Sequence, residues 1–304
     1  MIDFSVSLFN SVCQRAVEQY DRLVYKTYTN KGYIEQLAEI DGNQIHYFDN
    51  QKKQVPTIVF IHGFGGDGKL AWEEQVKLIK DNYRVIVPDL LWFGQSHSNS
   101  KPTLINQVEA INSLIKHLKI SKFHLVGISY GGFVSLAFSH LYFKKLKSIS
   151  VVASPGTIIE DQEIEKFCSR NNVSNVKEIF VPKSSEQVKR LFKLTFVNPP
   201  KYPMFIYEAI YHKYFVKNQR EKEQLLDNLP TNKGSYTERP LVPALIFWGK
   251  KDQVFSVENA TKLAQKLNAK TIIHKSTGHM YPGDAAKHFN ENLFKFIDEV
   301  ENTN

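Results

Sequence analysis

A serine stands between two glycines directly after an apolar run in the segment HLVGISYGGF, residues 124–133. One interpretation is a buried strand that ends in a glycine turn. The other is a strand-to-helix elbow of the form G-x-S-x-G, from Gly127 to Gly131, which raises a nucleophilic Ser129 above a sheet. An elbow forces Ser129 into a strained backbone conformation and needs small residues where strand and helix cross. The five-residue match is weak alone, so its surroundings must decide.

An acid and a histidine follow Ser129 in the order that such an elbow requires. A serine hydroxyl is a poor nucleophile at neutral pH, so it needs a histidine base that a carboxylate holds in the correct tautomer. Asp252 lies just beyond the apolar run ALIFWG, and His279 lies in the loop after TIIH. We therefore predict that Ser129, Asp252 and His279 form a catalytic triad.

Two further residues compete for the roles of acid and base. Asp89, in VPDL at the end of the run YRVIVPDL, is the rival carboxylate. We favour Asp252 because its strand comes later in the chain, next to the strand of the histidine. His62 shares the same sheet edge, but its neighbours Gly63 and Phe64 indicate that it shapes a turn.

An acyl-transfer serine also needs N–H donors for the oxyanion of its tetrahedral intermediate. We expect one donor from Tyr130, directly after the serine at the start of a helix. We expect the second from Phe64, in the glycine-rich loop HGFGGDG. Phosphate binding is the alternative role for this loop, and it is a poor explanation because no Gly-Lys-Ser or Gly-Lys-Thr is present there.

Apolar runs alternate with helical patterns along most of the chain. The runs are TIVFI, YRVIV, the run into Ser129, SISVVAS at 148–154, and two more within 243–252 and 269–279, and the helical patterns cover 69–80, 104–118, 130–142 and 285–300. This alternation is typical of a parallel sheet covered on both faces, with reactive groups at the carboxyl ends of its strands. A hairpin signal at Asp41-Gly42-Asn43 opens the domain.

The alternation stops between residues 155 and 240, where helical patterns cover 160–170, 186–194 and 202–216. We interpret this segment as a helical lid inserted into one core, which comprises residues 31–154 and 241–304. The segment is crowded with aromatic side chains, most of which would pack the lid onto the core. They are Phe192, Phe196, Tyr202, Phe205, Tyr207, Tyr211, Tyr214 and Phe215. Those that face the cleft, with Phe196 and Phe205 as candidates, would form an apolar substrate pocket.

An N-terminal segment, residues 1–30, precedes the core. Its apolar residues recur at helical spacing, which predicts an amphipathic helix. These residues are Phe9, Val12, Ala16, Tyr20 and Leu23. Packing of this helix on the body of the protein is the simpler interpretation, and docking on a membrane surface is the alternative.

Composition argues against several classes of function. The 304 residues include 39 basic and 31 acidic side chains, a net charge of +8, but no basic block, so nucleic-acid binding is not expected. Cys13 and Cys168 are far apart, which argues against a disulfide framework or a zinc site. Without a secretory signal or an apolar run of about 18 residues, we expect a cytoplasmic protein with at most a weak attraction to membrane surfaces. We expect no cofactor or metal.

These motifs together resemble the α/β-hydrolase fold family over nearly the whole chain. The resemblance rests on HGFGG, PDLLWFGQS, GISYGG, WGKKDQVF and TGHMYP. It is closest to the lidded branch of esterases, monoacylglycerol-lipase-like enzymes and carbon–carbon bond hydrolases. It implies a mostly parallel eight-stranded sheet with helices on both faces and a helical lid. Two departures put bulk near the pocket: residues 89–96, where the family commonly has D-x-P-G-x-G-x-S, and Met280, where a small residue is common.

Three functional hypotheses follow from the resemblance. The first is a serine esterase that forms an acyl-enzyme on Ser129 from a small-molecule ester with an apolar acyl part. The second is a carbon–carbon hydrolase of vinylogous diketone acids, with Arg190 of the lid as the candidate clamp for the substrate carboxylate. The third is a ligand-binding receptor that retains fold and triad. Serine at the elbow argues against epoxide or haloalkane hydrolysis, where an aspartate is usual, and the oligomeric state stays open.

Overall fold

A single mixed sheet forms the centre of the computed structural model, which describes residues 2–229 and 242–303 and side chains from residue 14 onward. The described strands are β1 (Ile34–Ile40), β2 (Asn43–Asp49), β3 (Thr57–Ile61), β4 (Arg84–Pro88), β5 (His97–Ser98), β6 (Phe123–Ile128), β7 (Leu146–Val152), β8 (Ala244–Gly249) and β9 (Lys270–His274). Their order is β1-β2-β4-β3-β6-β7-β8-β9, with the two-residue β5 paired to β2. The pairs from β4 to β9 are parallel, and the hairpin of β1 and β2 is antiparallel. The expected fold, a mostly parallel α/β-hydrolase sheet, is confirmed.

Thirteen α-helices are described around the sheet and in the inserted segment. They are α1 (Ile2–Asn30), α2 (Gly68–Ala71), α3 (Glu73–Leu78), α4 (Leu104–His117), α5 (Tyr130–Tyr142), α6 (Asp161–Arg170), α7 (Lys177–Phe180), α8 (Ser185–Thr195), α9 (Met204–Ile210), α10 (Gln219–Asp227), α11 (Glu258–Leu267), α12 (Tyr281–Asp284) and α13 (Ala286–Thr303). A π-helical turn, Tyr211–Phe215, follows α9. The single helix expected over 69–80 is instead two short helices, separated at Trp72, whose buried ring packs on Phe60.

The central strands are buried on both faces, which explains their unbroken apolar sequences. Along β3, Val59 and Ile61 belong to the apolar cluster on one face, which also contains residues of α4 and α5. Ile58 and Phe60 alternate with them and belong to the cluster on the other face, with residues of α1, α3 and α13. A strand held in this way ends at a fixed position, and β3 and β6 end at the site described below.

The segment after β7 is helical as far as residue 229 and contains no strand among its described residues. Helices α6 to α10 lie in it. The apolar faces of α6 to α9 form a separate cluster around Phe167, Ile179, Val188, Leu191 and Tyr207, whereas Leu225 of α10 belongs to the core cluster. The C-terminal limit predicted for the lid, residue 240, lies outside the described residues. We refer to the helical segment 155–229 as the lid.

Helix α1 is present as the periodicity predicts, but its most buried residues are neighbours of the predicted apolar set. Val17, Val24 and Tyr28 are buried, whereas Tyr20 and Leu23 are 52% and 55% exposed. The side chains of Phe9 and Val12 lie outside the described set. None of the described helices has the length and apolar character needed to cross a bilayer.

Ionic contacts hold the buried side of α1 against the rest of the protein. Lys69 lies between Asp21 of α1 and Asp67, at 2.8 and 2.7 Å. Asp21 also accepts a hydrogen bond from the Tyr214 hydroxyl at 2.8 Å and lies 3.3 Å from the Lys213 ammonium. Burial alone would raise the pKa of Asp21, but Lys69 and the other donors hold it below its usual value. These contacts fix α1 against both the core and the lid.

Replacing Asp21 with alanine should therefore destabilise the protein. We expect Asp21→Ala to lower the free energy of unfolding by about 1–3 kcal/mol, because Lys69 and Tyr214 lose a partly buried charged partner. Urea denaturation measures the change. Glu18→Ala is the matched control: this exposed carboxylate lies one turn earlier on α1, and its loss should change stability by less than about 0.5 kcal/mol. Equal effects of the two substitutions would contradict the role of the Asp21 contacts.

Candidate active site

Ser129 occupies a strained turn between β6 and α5. Its backbone angles are φ 55° and ψ −121°, a conformation that side-chain-bearing residues rarely adopt. Its N–H donates to the carbonyl of Val152 at 2.9 Å. A Cβ atom at Gly127 would collide with the Gly131 carbonyl, and one at Gly131 with the carbonyl of Ile61. Glycine at these two positions is what lets the strand and the helix cross so closely.

His279 and Asp252 form a buried hydrogen-bonded pair. The distance from His279 Nδ1 to Asp252 Oδ2 is 3.0 Å, and both side chains are almost fully shielded from solvent. The other carboxylate oxygen of Asp252 accepts the N–H groups of Val254 and Phe255, at 2.8 and 3.1 Å. Because the carboxylate only accepts, Nδ1 of His279 carries the proton, and Nε2 remains free to accept one.

The loop that carries His279 is fixed on both sides. Before the histidine, the Gly278 N–H donates to Asp284 at 2.8 Å. After it, the Met280 N–H donates to the carbonyl of Thr195, the last residue of α8, at 2.9 Å. The end of a lid helix is thus bonded directly to the residue that follows His279.

Asp89, the rival acid, is bonded elsewhere. Its carboxylate lies 2.7 Å from Nδ1 of His46 and accepts the N–H groups of Gly68 and Gln95, at 2.8 and 3.1 Å. Burial would raise the pKa of Asp89, but the His46 contact and these N–H donors hold it below its usual value. Asp89 therefore ties two loops to the sheet, and Asp252 is the acid that contacts His279.

His62 has both ring nitrogens engaged within the loops around it. Nε2 accepts the Leu90 N–H at 2.9 Å, so Nδ1 is the donor to the Gly63 carbonyl, at 2.7 Å. Complete burial lowers the pKa of His62, which favours this neutral form. These bonds match the turn-shaping role expected for His62.

The loop after β3 passes directly over Ser129. A Cβ atom at Gly63 would lie only 2.9 Å from that of Ser129, so the loop backbone is in contact with the serine. Phe64 follows, and its ring packs edge-on against Tyr130 at 4.8 Å between centroids. Tyr130 is the first residue of α5, where backbone N–H groups lack partners within the helix. The Phe64 and Tyr130 amides therefore belong to backbone segments that flank Ser129.

A cavity of about 610 Å³ opens beside Ser129 and His279, between core and lid. Its walls are mainly apolar and aromatic. The core contributes Phe64, Leu70, Ala71, Ile128 and Met280, the lid contributes Phe180, Leu191, Phe192, Phe196, Tyr202, Ile206, Ile210, Tyr214 and Phe215, and α1 contributes Ala16, Val17 and Tyr20. The contribution of α1 was not anticipated, because nothing in its own sequence shows which element it packs against.

Charge at the cavity wall comes from Asp67. Burial raises the pKa of its carboxyl, against the opposing attraction of Lys69 at 2.7 Å. No arginine or lysine is among the described residues that line the cavity. The site is thus suited to neutral, apolar ligands.

Two of the three predicted pocket residues lie elsewhere. Phe196 lines the cavity as expected. Phe205 instead packs near Val17 and Ala209, where α9 meets α1, and is not among the described lining residues. Arg190 is absent from that lining too. At about 100° per helical residue, it lies on nearly the opposite side of α8 from Phe192, which faces the cavity.

Comparisons with known proteins place this geometry in a family context. A family model described as alpha/beta hydrolase fold matches residues 56–285. Among curated proteins, Lipase 1 of Psychrobacter immobilis is 26% identical over 88% of this chain and 85% of its own length. Monoacylglycerol lipase ABHD6 of Mus musculus is 24% identical over 84% and 80%. The crystal structure of a putative lipase (lip1) from Acinetobacter baumannii AYE has a TM-score of 0.81 at 23% identity, covering 94% of this chain and 97% of that one.

The different surroundings of the two acids predict different effects of the same substitution. Asp252→Asn should lower turnover of an ester by about 10⁴-fold with little loss of stability, because His279 loses the partner that fixes its tautomer. Asp89→Asn should instead lower the free energy of unfolding by about 1.5–3 kcal/mol, because His46 and two loop amides lose a charged acceptor. Steady-state kinetics and urea unfolding of both variants provide the test. A reversed pattern would mean that the acid is misassigned.

Proposed function

We propose that this chain, which belongs to the α/β-hydrolase fold family, hydrolyses carboxylic esters with an apolar acyl part. One observation carries the proposal: the strained Ser129 lines a single apolar cavity together with His279, which is bonded to the buried Asp252. The lipases among its relatives support ester hydrolysis at the level of the family.

In the proposed mechanism, the Ser129 oxygen attacks the ester carbonyl carbon while His279 Nε2 takes the serine proton. Asp252 holds the imidazole orientation and stabilises its positive charge. The tetrahedral oxyanion accepts hydrogen bonds from the Phe64 and Tyr130 amides, each worth about 3–4 kcal/mol in a transition state of this kind. His279 then protonates the departing alcohol, which leaves an acyl-enzyme. Water attacks the acyl-enzyme with His279 as base, and the acid is released.

The substrate class follows from the cavity walls. Burial of an acyl chain against aromatic and aliphatic side chains contributes about 0.8 kcal/mol for each CH₂ group. A chain that replaces water in this cavity therefore binds better with each carbon until the space is filled. The described lining contains the Asp67 carboxyl and no lysine or arginine, so it favours an uncharged ester over a negatively charged acid.

The carbon–carbon hydrolase alternative loses its structural support. A diketone acid needs a cation for its carboxylate, and Arg190 is not among the described residues of the cavity wall. The receptor alternative makes a different prediction, because a receptor would bind an apolar ligand without turning it over. Turnover of a simple ester separates the receptor from the enzyme.

Labelling with a fluorophosphonate tests the nucleophile. We expect the protein to be labelled covalently and Ser129→Ala to abolish the label, with turnover reduced by about 10⁶-fold. Gel fluorescence or intact-mass measurement detects the adduct. Ser135→Ala is the control, since Ser135 lies on α5 but is fully buried. Labelling that persists in Ser129→Ala, or absence of labelling in the unaltered protein, would refute the proposed mechanism.

The acyl-chain dependence of hydrolysis tests the pocket. With p-nitrophenyl esters, kcat/KM should rise by up to about fourfold per added methylene until the cavity is full. Phe196→Ala should shift the preferred chain length, whereas Phe205→Ala, the matched control in the same lid, should leave it unchanged. Both variants should keep their reaction with a small phosphonate. A flat profile, or equal shifts in both variants, would show that Phe196 does not shape the acyl site.

A further inference from the structure

A second, smaller cavity lies behind the lid wall of the proposed acyl site. Its volume is about 180 Å³, and it lies between α6, α7 and the residues that follow Asp252. Apolar side chains form most of its surface: Ile159, Ile164, Phe167, Val176, Val254 and Phe255. Phe180, Ser256 and the charged residues Glu163, Lys166 and Arg170 complete its lining. This composition suits an alkyl chain better than a polar ligand.

Phe180 separates the two cavities. Of the described residues, it alone lines both the small cavity and the cavity that contains Ser129. It is the last residue of the short helix α7 and packs against the apolar clusters of both core and lid. On the side of the small cavity its ring stacks on Phe167, with 5.8 Å between centroids and 8° between planes. One aromatic ring thus stands between two apolar spaces.

The small cavity also adjoins the residues that hold the catalytic acid. Val254 and Phe255 line it, and their N–H groups bind the Asp252 carboxylate at 2.8 and 3.1 Å. Phe255 also packs edge-on against the His279 ring, at 5.6 Å between centroids. A chain in this cavity would therefore extend past the His279 side of the site.

We propose that Phe180 sets the upper limit of acyl-chain length by closing off this second cavity, which a longer chain would otherwise enter. The inference rests on the proposed ester hydrolysis and adds the residue that ends its acyl site. Chains that fit in front of Phe180 bury more surface with each carbon. Longer chains meet the Phe180 ring and must leave their ends in water or displace packed aromatic groups. Further carbons therefore add no binding free energy.

The test is the chain-length profile of Phe180→Ala, from acetyl to palmitoyl esters. In the unaltered protein, kcat/KM should stop rising at a defined length. In Phe180→Ala it should continue to rise beyond that length, by up to about fourfold per methylene, when each ester is compared with the acetyl ester of the same variant. An unchanged limit in Phe180→Ala would overturn the proposal.

A second substitution separates cavity opening from a general loosening of the lid. Ile164 lines the small cavity only, so Ile164→Trp should fill it. In the Phe180→Ala background, Ile164→Trp should restore the original limit, and with Phe180 intact it should have no effect on chain length. Failure to restore the limit would overturn the proposal, because the change would then come from lid disorder.

Thermal melting and small-phosphonate labelling show whether each variant retains its fold and site. If Phe180→Ala does not fold, Phe180→Val provides the same test with a smaller opening, and a limit that does not move would again contradict the proposal. A separate result would show that the protein does not hydrolyse esters at Ser129 at all. In that case the unaltered protein neither reacts with the phosphonate at Ser129 nor hydrolyses the acetyl ester.

Discussion

The close crossing of β6 and α5 is the constraint on which the rest of the site depends. A left-handed backbone at a serine costs about 1–3 kcal/mol and persists only where its surroundings determine it. Here those surroundings are a strand buried on both faces, the bond from Ser129 to Val152, and helix backbone against the carbonyl of Ile61. The same crossing puts the first turn of α5 and the loop after β3 on either side of the serine.

Sequence patterns were sufficient to predict the position of a residue that is placed by the end of its own strand. Ser129, Asp252 and His279 each follow an apolar strand, and parallel strands bring their carboxyl ends to one edge of the sheet. Positions that depend on distant partners could not be predicted in this way. The orientation of α1 follows from Asp21 meeting Lys69, and the sequence near Asp21 does not reveal that partner. For the same reason the spacing of aromatic residues in the lid could not separate Phe196, in the cavity wall, from Phe205, against α1.

The lid is connected to the site by more than apolar contact. Thr195 at the end of α8 accepts a hydrogen bond from Met280, the residue after His279. Phe192 and Phe196, before and after Thr195 in the chain, both line the cavity. Tyr214, farther along the lid, bonds to Asp21 of α1. Movement of the lid would therefore disturb both the loop that carries His279 and the N-terminal helix, so a ligand that contacts the lid would also affect the position of His279.

Ala16, Val17 and Tyr20 line the cavity although they precede the segment that matches the family model, residues 56–285. The residues of the proposed chemistry all fall inside that segment. Heritable change in α1 can therefore alter which substrates fit while the reacting groups stay as they are. Substitutions in α1 could therefore change substrate preference in related proteins without loss of the proposed reaction. We expect the sequence of α1 to vary more among them than the turn that carries Ser129.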